Sequence, residues 1–440
     1  MPDQVPVTVH DHAFEALAAA LQARAAREVL IIADENTYPA AGWQVEEALR
    51  SSGLAIASKI LAGQPDEGDT TWVMPGETIQ VMPGETIQVK PDENSIVQVL
   101  DALDGREMVL VAVGSGTLTD ITRFCAYQAR LPFYAVPTAA SVDAYTSYTA
   151  AITIGRVKKS ILAKPACGVF ARLPLVCAAP PRLAASGFGD MVAKFTALAD
   201  WKLAHCLVDE DCPEPVVDWA GEAARLCMAQ AAAVGAGSPA GIAVLLEGLF
   251  VSGHCMVAVH SSRPAAGAEH SLAHFWEMKH HLAHRPDALH GEKTGAASVL
   301  VAGLYQALRQ LSRSEVSRRL DHFVLPDPQA ELSRVQAGYG PVGSLVISSH
   351  SSLLGTLRGK FEGIKERLVG RWDEVLAIAR TVPAPAEMVS WLEAAGAPAS
   401  PAAIHIDEGE IYLAIQNAMY IRDRLTILEI NHILNLSGDL

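Results

Sequence analysis

Hydrophobic positions along the chain fall into two textures. Up to about residue 180 they come in short, β-branched runs separated by amphipathic stretches; beyond it they recur at helical spacing in long Ala- and Leu-rich segments. The first texture predicts strands over 28–33 (EVLIIA), 108–113 (MVLVAV) and 133–136, with helices over 43–51 and 120–130. Strands alternating with helices predict a Rossmann-like parallel sheet with helices on both faces. The second texture predicts an all-helical part. The boundary is expected near Cys177-Ala178-Ala179-Pro180-Pro181, where two prolines also suit the start of a helix. The expected domains are therefore 1–178, α/β, and 179–440, all-α.

Two stretches depart from these textures. Residues 240–259 are the most apolar, yet they carry Glu247, Gly253 and His254. A carboxylate is costly in lipid, so a buried helix is expected there and no membrane span. Residues 73–80 and 81–88 both read VMPGETIQ; a recent duplication without function is the favoured reading.

Composition narrows the class. Half of the 440 residues are hydrophobic and only 19% are charged, which excludes disorder. The formal charge of −15 disfavours nucleic acid and acidic membrane surfaces as partners. Any phosphate-bearing ligand must be small and met by local cations or backbone N–H groups. The first residues lack the basic-then-apolar order of a signal peptide. Seven cysteines, odd in number and without a C-x-x-C pair, read as reduced thiols of a cytoplasmic protein.

Chemistry concentrates at a few places. Gly114-Ser115-Gly116-Thr117 joins an apolar strand to a helix, where backbone N–H groups and the helix dipole favour a phosphate. A plain strand-to-helix turn would look the same, since the third glycine of G-x-G-x-x-G is missing. Pro137-Thr138-Ala139-Ala140-Ser141-Val142-Asp143 follows the next strand, where open α/β sheets bind ligands; Ser141 or Asp143 could equally be a helix cap. Asp34 is either a ribose ligand or a turn former. Most of the 15 histidines lie in the second half, with His270, His274, His280, His281, His284 and His290 close in sequence. His270 and His274 are four apart, so a helix places them on one face. Asp190 closes the string Ser186-Gly187-Phe188-Gly189-Asp190, and its bland reading is a surface pair with Lys194. One carboxylate with two imidazoles and an open position describes a divalent metal acting as Lewis acid. No G-x-S-x-G elbow supports a serine hydrolase.

The segments GSGTLTDITR, PTAASVDAYTS, AASGFGDMVAKFTALADWKLAH, SSRPAAGAEHSLAHFWEM, HGEKTG and NAMYIRDRLTILEINHIL occur in the order found in bacterial sn-glycerol-1-phosphate dehydrogenases of the arabinose-operon type. The chain resembles that family over nearly its whole length, and through it the dehydroquinate synthase-like and iron-containing alcohol dehydrogenase superfamily. The resemblance implies a nucleotide-binding α/β domain followed by an all-helical metal-binding domain. It implies NAD or NADP with one divalent metal (zinc, nickel or iron) held by Asp190, His270 and His290. Gly114, Gly116, Thr117, Leu118, Thr119 and Asp120 would cradle the pyrophosphate, and Thr138, Ala139, Ala140, Ser141 and Ser147 would line the nicotinamide end. Asp143, Asp190 and His274 would contact substrate, and His274 is the expected proton relay. The implied activity interconverts glycerone phosphate and sn-glycerol 1-phosphate by hydride transfer. Arg263 is the expected phosphate ligand, ahead of Lys158 and Lys159. The reading allows a homodimer or larger homo-oligomer. The chain departs from the family pattern at the VMPGETIQ copy, at KHHLAHRPDA, and at Lys164-Pro165-Ala166, where a His-Pro pair is expected. Competing readings are a glycerol or polyol dehydrogenase, a sugar-phosphate cyclase, and a non-catalytic ligand-binding relative.

Overall fold

In the computed structural model, the described residues are 4–63, 89–155, 157–283, 285, 288–349 and 351–439. The VMPGETIQ copies and His284 lie outside them. The chain divides into two compact units, Met1–Pro180 with His280–Pro286, and Pro181–Lys279 with Asp287–Leu440. Residues 280–286, in the middle of the helical part of the sequence, group with the first unit.

The first unit is built on a parallel sheet of β1 (Val7–Val9), β2 (Glu28–Asp34), β3 (Ala55–Leu61), β4 (Val109–Gly114), β5 (Phe133–Pro137) and β8 (Val169–Ala171), ordered β1-β8-β5-β4-β2-β3. β6 (Thr149–Ile154) and β7 (Val157–Leu162) form a separate antiparallel hairpin. The helices between strands are α1 (Ala13–Ala23), α2 (Trp43–Ser51), α3 (Glu93–Leu103) and α4 (Gly116–Gln128). Central strands are covered on both faces, and their sequences are accordingly continuous apolar runs. Val29, Ile31, Val109, Val111, Val113 and Val136 point to one face, against Phe14, Leu17 and Leu21 of α1 and Val45 and Leu49 of α2. The alternate residues Leu30, Ile32, Leu110 and Ala112 are buried on the other face, the side on which α4 packs.

The second unit is helical. After the short α5 (Leu173–Cys177), which closes the first unit, come α6 (Pro181–Val208), α7 (Glu214–Met228), α8 (Ala231–Gly235), α9 (Pro239–Val259), α10 (Ala268–Leu282) and α11 (His290–Gln310), with further helices to the C-terminus. α9 is the one described helix long and apolar enough to cross a membrane, and 67% of its apolar window is buried inside the protein. Its neighbours are α6, α7 and α8. α6 is apolar nearly all round, as a helix central to a bundle must be.

Candidate metal centre

In the first unit, Asp34, Gly114 and Pro137 end strands that run side by side in register. The turns after them therefore lie at one carboxyl edge. β3 lies on one side of β2 and β4 on the other, so the strand order reverses there, the place where open α/β sheets bind ligands. α4 begins at Gly116, earlier than the pattern predicts, and takes Thr117, Leu118 and Thr119 into its first turn. A β-carbon on Gly116 would lie 2.2 Å from Val142 Cγ1, so this turn and the loop after β5 require a glycine to seat together. Thr138 N–H donates to the Gly114 carbonyl at 3.2 Å. Tyr145 OH donates to the Ala139 carbonyl at 2.6 Å and lies 3.4 Å from Ser141 Oγ. Ala140 and Asp143 are buried in the same loop. Ser147 Oγ is 3.0 Å from Thr149 Oγ1, at the start of the hairpin.

Two of the expected cofactor residues have framework partners. Asp34 Oδ1 accepts from the N–H groups of Asn36 and Thr37 at 3.0 and 2.7 Å, the turn-former geometry. Asp120 has the more extensive set. Its Oδ1 pairs with Arg123 and its Oδ2 accepts from Ala151 N–H at 3.1 Å. Arg123 also donates to the carbonyls of Thr149 and Ala144. This pair ties α4 to the hairpin and the preceding loop, so the Asp120 side chain is a framework group within the segment expected to cradle the pyrophosphate. Burial lifts the Asp120 carboxyl to about 6 against the pull of Arg123.

The second unit assembles the other half of the chemistry. α6 and α11 touch backbone to backbone: a β-carbon on Gly189 would lie 2.1 Å from the Gly291 carbonyl oxygen, and one on Gly291 would lie 1.8 Å from that of Ser186. Gly291 N–H donates to Ser186 Oγ at 3.1 Å. This approach brings Asp190 on α6 beside His290, the first residue of α11. α10 is fixed at its N-terminus by Asp200, whose Oδ2 accepts from Ala268 N–H at 2.7 Å. In the same first turn, His270 extends Nε2 to 3.5 Å from Asp190 Oδ1. Ligand atoms of Asp190, His270 and His290 all lie within 4.8 Å of one another. His274 joins them, its ring centroid 6.2 Å from that of His270 and 5.6 Å from that of His290.

The donor set fits a divalent transition metal: one carboxylate oxygen and two imidazole nitrogens, buried or half-buried. Each imidazole has its other nitrogen on a carboxylate, as metal-bound histidines require. His270 Nδ1 lies 2.8 Å from Glu269 Oε1, and His290 Nδ1 lies 3.1 Å from Glu277 Oε1. Both carboxylates are anchored in turn, Glu269 by Thr196 Oγ1 at 2.7 Å and Glu277 by Lys293 Nζ at 3.0 Å. Burial alone would raise the Asp190 carboxyl, but Lys194, His270 and His290 outweigh it and hold it well below the usual carboxylate range. Burial opposes the His270 imidazolium, yet Asp190 and Glu269 raise its pKa above the ordinary value. A cation is thus favoured at this point. Lys194 is not a surface partner: it is fully buried, 3.2 Å from Asp190 Oδ1 and 3.3 Å from the Ala265 carbonyl.

Arg263, the expected phosphate ligand, is engaged elsewhere. Its Nε donates to Glu210 Oε1 at 2.6 Å, its Nη2 pairs with Glu210 Oε2, and its Nη1 donates to the Leu425 carbonyl at 3.1 Å. The fork is spent on the framework. Arg422 lies next to the histidines instead, its Nη2 3.4 Å from His274 Nδ1. With Nδ1 facing a donor, neutral His274 carries its proton on Nε2. Sequence reasoning missed Glu269, Glu277, Lys293, Asp200 and Arg422. Their only signal was position, Glu269 within GAEH and Arg422 within the C-terminal YIRDR.

Comparison with known proteins gives the context of this centre. Residues 8–180 match the family model described as iron-containing alcohol dehydrogenase. A protein of Geobacillus thermodenitrificans named glycerol-1-phosphate dehydrogenase [NAD(P)+] is 34% identical over 71% of this chain and 72% of its own length. A protein of that name from Bacillus subtilis is 30% identical over 92% of this chain and 85% of its own. Among solved structures, an alcohol dehydrogenase from Oenococcus oeni superposes with a TM-score of 0.61 at 14% identity, covering 98% of this chain and 99% of its own. A probable glycerol dehydrogenase from Sinorhizobium meliloti gives 0.58 at 15% identity, over 100% of this chain and 98% of its own.

Proposed function

This chain belongs to the glycerol-1-phosphate dehydrogenase family, and from that premise we propose that it interconverts glycerone phosphate and sn-glycerol 1-phosphate with NAD or NADP. The observation that carries the reading is the group of Asp190, His270 and half-buried His290, each histidine backed by its own glutamate. A divalent metal on these three residues would supply Lewis-acid polarisation of the substrate oxygen, and a bound nicotinamide would give or take the hydride. The remaining work falls to the chain's own residues. Glu269 and Glu277 hold the imidazoles in one tautomer and orientation. His274, with its Nδ1 toward Arg422, holds the relayed proton on Nε2. In the first unit, Gly114, Gly116 and the opening turn of α4 offer N–H groups to a pyrophosphate, with Thr138 to Ser141 and Asp143 in the adjoining loop. Seven free cysteines support a reducing, cytoplasmic setting.

The test is a substrate panel of glycerone phosphate, dihydroxyacetone and glycerol with both cofactors, run alongside metal analysis. The wild type should carry about one divalent metal per chain and prefer glycerone phosphate. His290→Ala should lose both metal and activity while its circular dichroism and melting remain cooperative. A preference for glycerol would move the assignment to a polyol dehydrogenase, and full metal occupancy in His290→Ala would remove that residue from the centre.

A further inference from the structure

Three helices carry the residues of the metal centre: α6 bears Asp190, α10 bears His270 and α11 bears His290. A binding constellation works only when its groups are held to within about 0.5 Å, so the seating of these helices on one another decides whether the ligand atoms meet. One carboxylate outside the centre touches all three. Asp200 lies on α6 ten residues beyond Asp190, roughly 15 Å further along the axis. Its Oδ2 accepts from the N–H of Ala268, the first residue of α10, at 2.7 Å. Its Oδ1 accepts from Tyr305 OH on α11 at 2.6 Å and from Ile427 N–H at 2.8 Å. Asp200 and Tyr305 are both fully buried, so losing one of these bonds leaves a desolvated polar group behind.

We propose that Asp200 is the positioning residue of the metal centre, the single group through which α6 sets the places of α10 and α11 and so the meeting of Asp190, His270 and His290. On the α10 side, a β-carbon on Gly267 would lie 2.5 Å from Asp200 Oδ2 and 2.9 Å from Ala197 Cα, so the start of α10 rests on α6 where only a glycine fits. Gly267 N–H donates to Glu269 Oε1 at 2.6 Å, the oxygen that lies 2.8 Å from His270 Nδ1. Thr196 Oγ1, also on α6, donates to Glu269 Oε2 at 2.7 Å. The string Gly267-Ala268-Glu269-His270 thus works as one piece: the glycine allows the approach, the alanine N–H finds Asp200, and the glutamate passes that placement to the imidazole. On the α11 side, Gly291 rests against Ser186 beside the centre, and Tyr305 is tied to Asp200 further along. A helix held at one point can pivot; held at two, it keeps the direction that aims His290 at Asp190.

This inference rests on the reading of Asp190, His270 and His290 as a metal centre, and the experiment separates the two. Metal-stripped wild type, Asp200→Asn, Gly267→Ala, Tyr305→Phe and a packing control, Leu249→Ala in the buried face of α9, are titrated with Co2+ against a chelator. The visible absorption bands of bound Co2+, which report ligand geometry, are recorded for each, together with the melting of the metal-free protein. An amide offers one acceptor oxygen where a carboxylate offers two, so Asp200→Asn loses either the α10 or the α11 tie. It should bind Co2+ roughly 10-fold more weakly and with altered bands. Gly267→Ala breaks the α10 tie with Asp200 intact and should do the same, while Tyr305→Phe, which removes one donor of three, should shift both readings in the same direction by less. Leu249→Ala should lower the melting temperature yet keep wild-type Co2+ affinity and bands. A wild type that binds no Co2+ overturns the metal centre itself. Wild-type affinity and bands in Asp200→Asn and Gly267→Ala, or changes no larger than those of Leu249→Ala, overturn the role of Asp200 and leave the metal centre standing. Should Asp200→Asn fail to fold, Gly267→Ala and Tyr305→Phe decide by the same two readings.

Discussion

A glutamate beside each metal-site histidine decides more than the histidines alone. His270 and His290 could rotate or change tautomer freely if Glu269 and Glu277 did not hold their Nδ1 atoms. Glu269→Gln keeps the size and loses the charge, so metal affinity should drop roughly 10- to 100-fold while the fold persists, as competition with a chromophoric chelator would reveal. Unchanged affinity would make Glu269 a packing residue. Residue-level chemistry was unevenly legible in the sequence. Asp190, His270 and His290 were named from family motifs, and the structure brings their ligand atoms together. Their supporting carboxylates were not, because neither a glutamate adjacent to its histidine, as Glu269 is, nor one thirteen residues before it, as Glu277 is, has a spacing that marks it. Arg263 failed for the complementary reason: proximity in sequence to His270 said nothing of Glu210, fifty-three positions away, which occupies its fork. Arg422, 148 positions from His274, could be found only in three dimensions.

Elements were legible where burial makes sequence monotonous. β2, β4 and β5 are central, so their apolar runs announce them; β3 is an edge strand with exposed Ala55 and Ser58 and half-buried Lys59 interrupting the pattern, and it was missed along with the β6–β7 hairpin. Helix packing was hidden in the glycines. The glycines of Ser-Gly-Phe-Gly-Asp and His-Gly let two helices approach each other: α6 and α11 meet backbone to backbone through Gly189, Gly291 and Gly295. Gly291→Ala places a methyl against the Ser186 carbonyl oxygen and must push the helices apart. It should destabilise the protein by roughly 1–3 kcal/mol in urea unfolding and weaken metal binding with it, since Asp190 and His290 ride on the two helices. Stability loss with intact metal affinity would mean that the separation is absorbed away from the centre. Gly116→Val acts likewise in the first unit: beyond blocking approach to a pyrophosphate, its side chain meets Val142, so a raised cofactor KM should come with a lowered melting temperature.

At the scale of the whole molecule, the second unit keeps two carboxyl groups in its interior that favour the protonated form. Burial pushes Asp200 up to about 7 and Glu429 up to about 8. Asp200 accepts from Tyr305 OH at 2.6 Å and from the N–H groups of Ala268 and Ile427, joining α10, α11 and the helix Ile427–Leu434. Glu429 accepts from the N–H and hydroxyl of Thr426 at 2.8 and 2.7 Å, capping that same helix. In the unfolded chain both groups ionise near pH 4. Between about pH 4 and pH 8 the folded state therefore binds more protons than the unfolded state, and stability must fall as pH rises through that window. Below pH 4 both states are protonated and this contribution is fully present; above 8 it is gone. Self-repulsion in a chain that reaches −15 by pH 7 pushes in the same direction. Glu429→Gln retains an oxygen to accept from Thr426 but cannot ionise. In metal-free protein, kept so by chelator, the variant should melt higher than wild type at pH 8.5 and show a smaller loss of melting temperature between pH 5 and pH 8.5. Parallel pH profiles for the two proteins would mean that Glu429 ionises without cost inside the fold, and that the steep part of the profile belongs to Asp200 or to the surface.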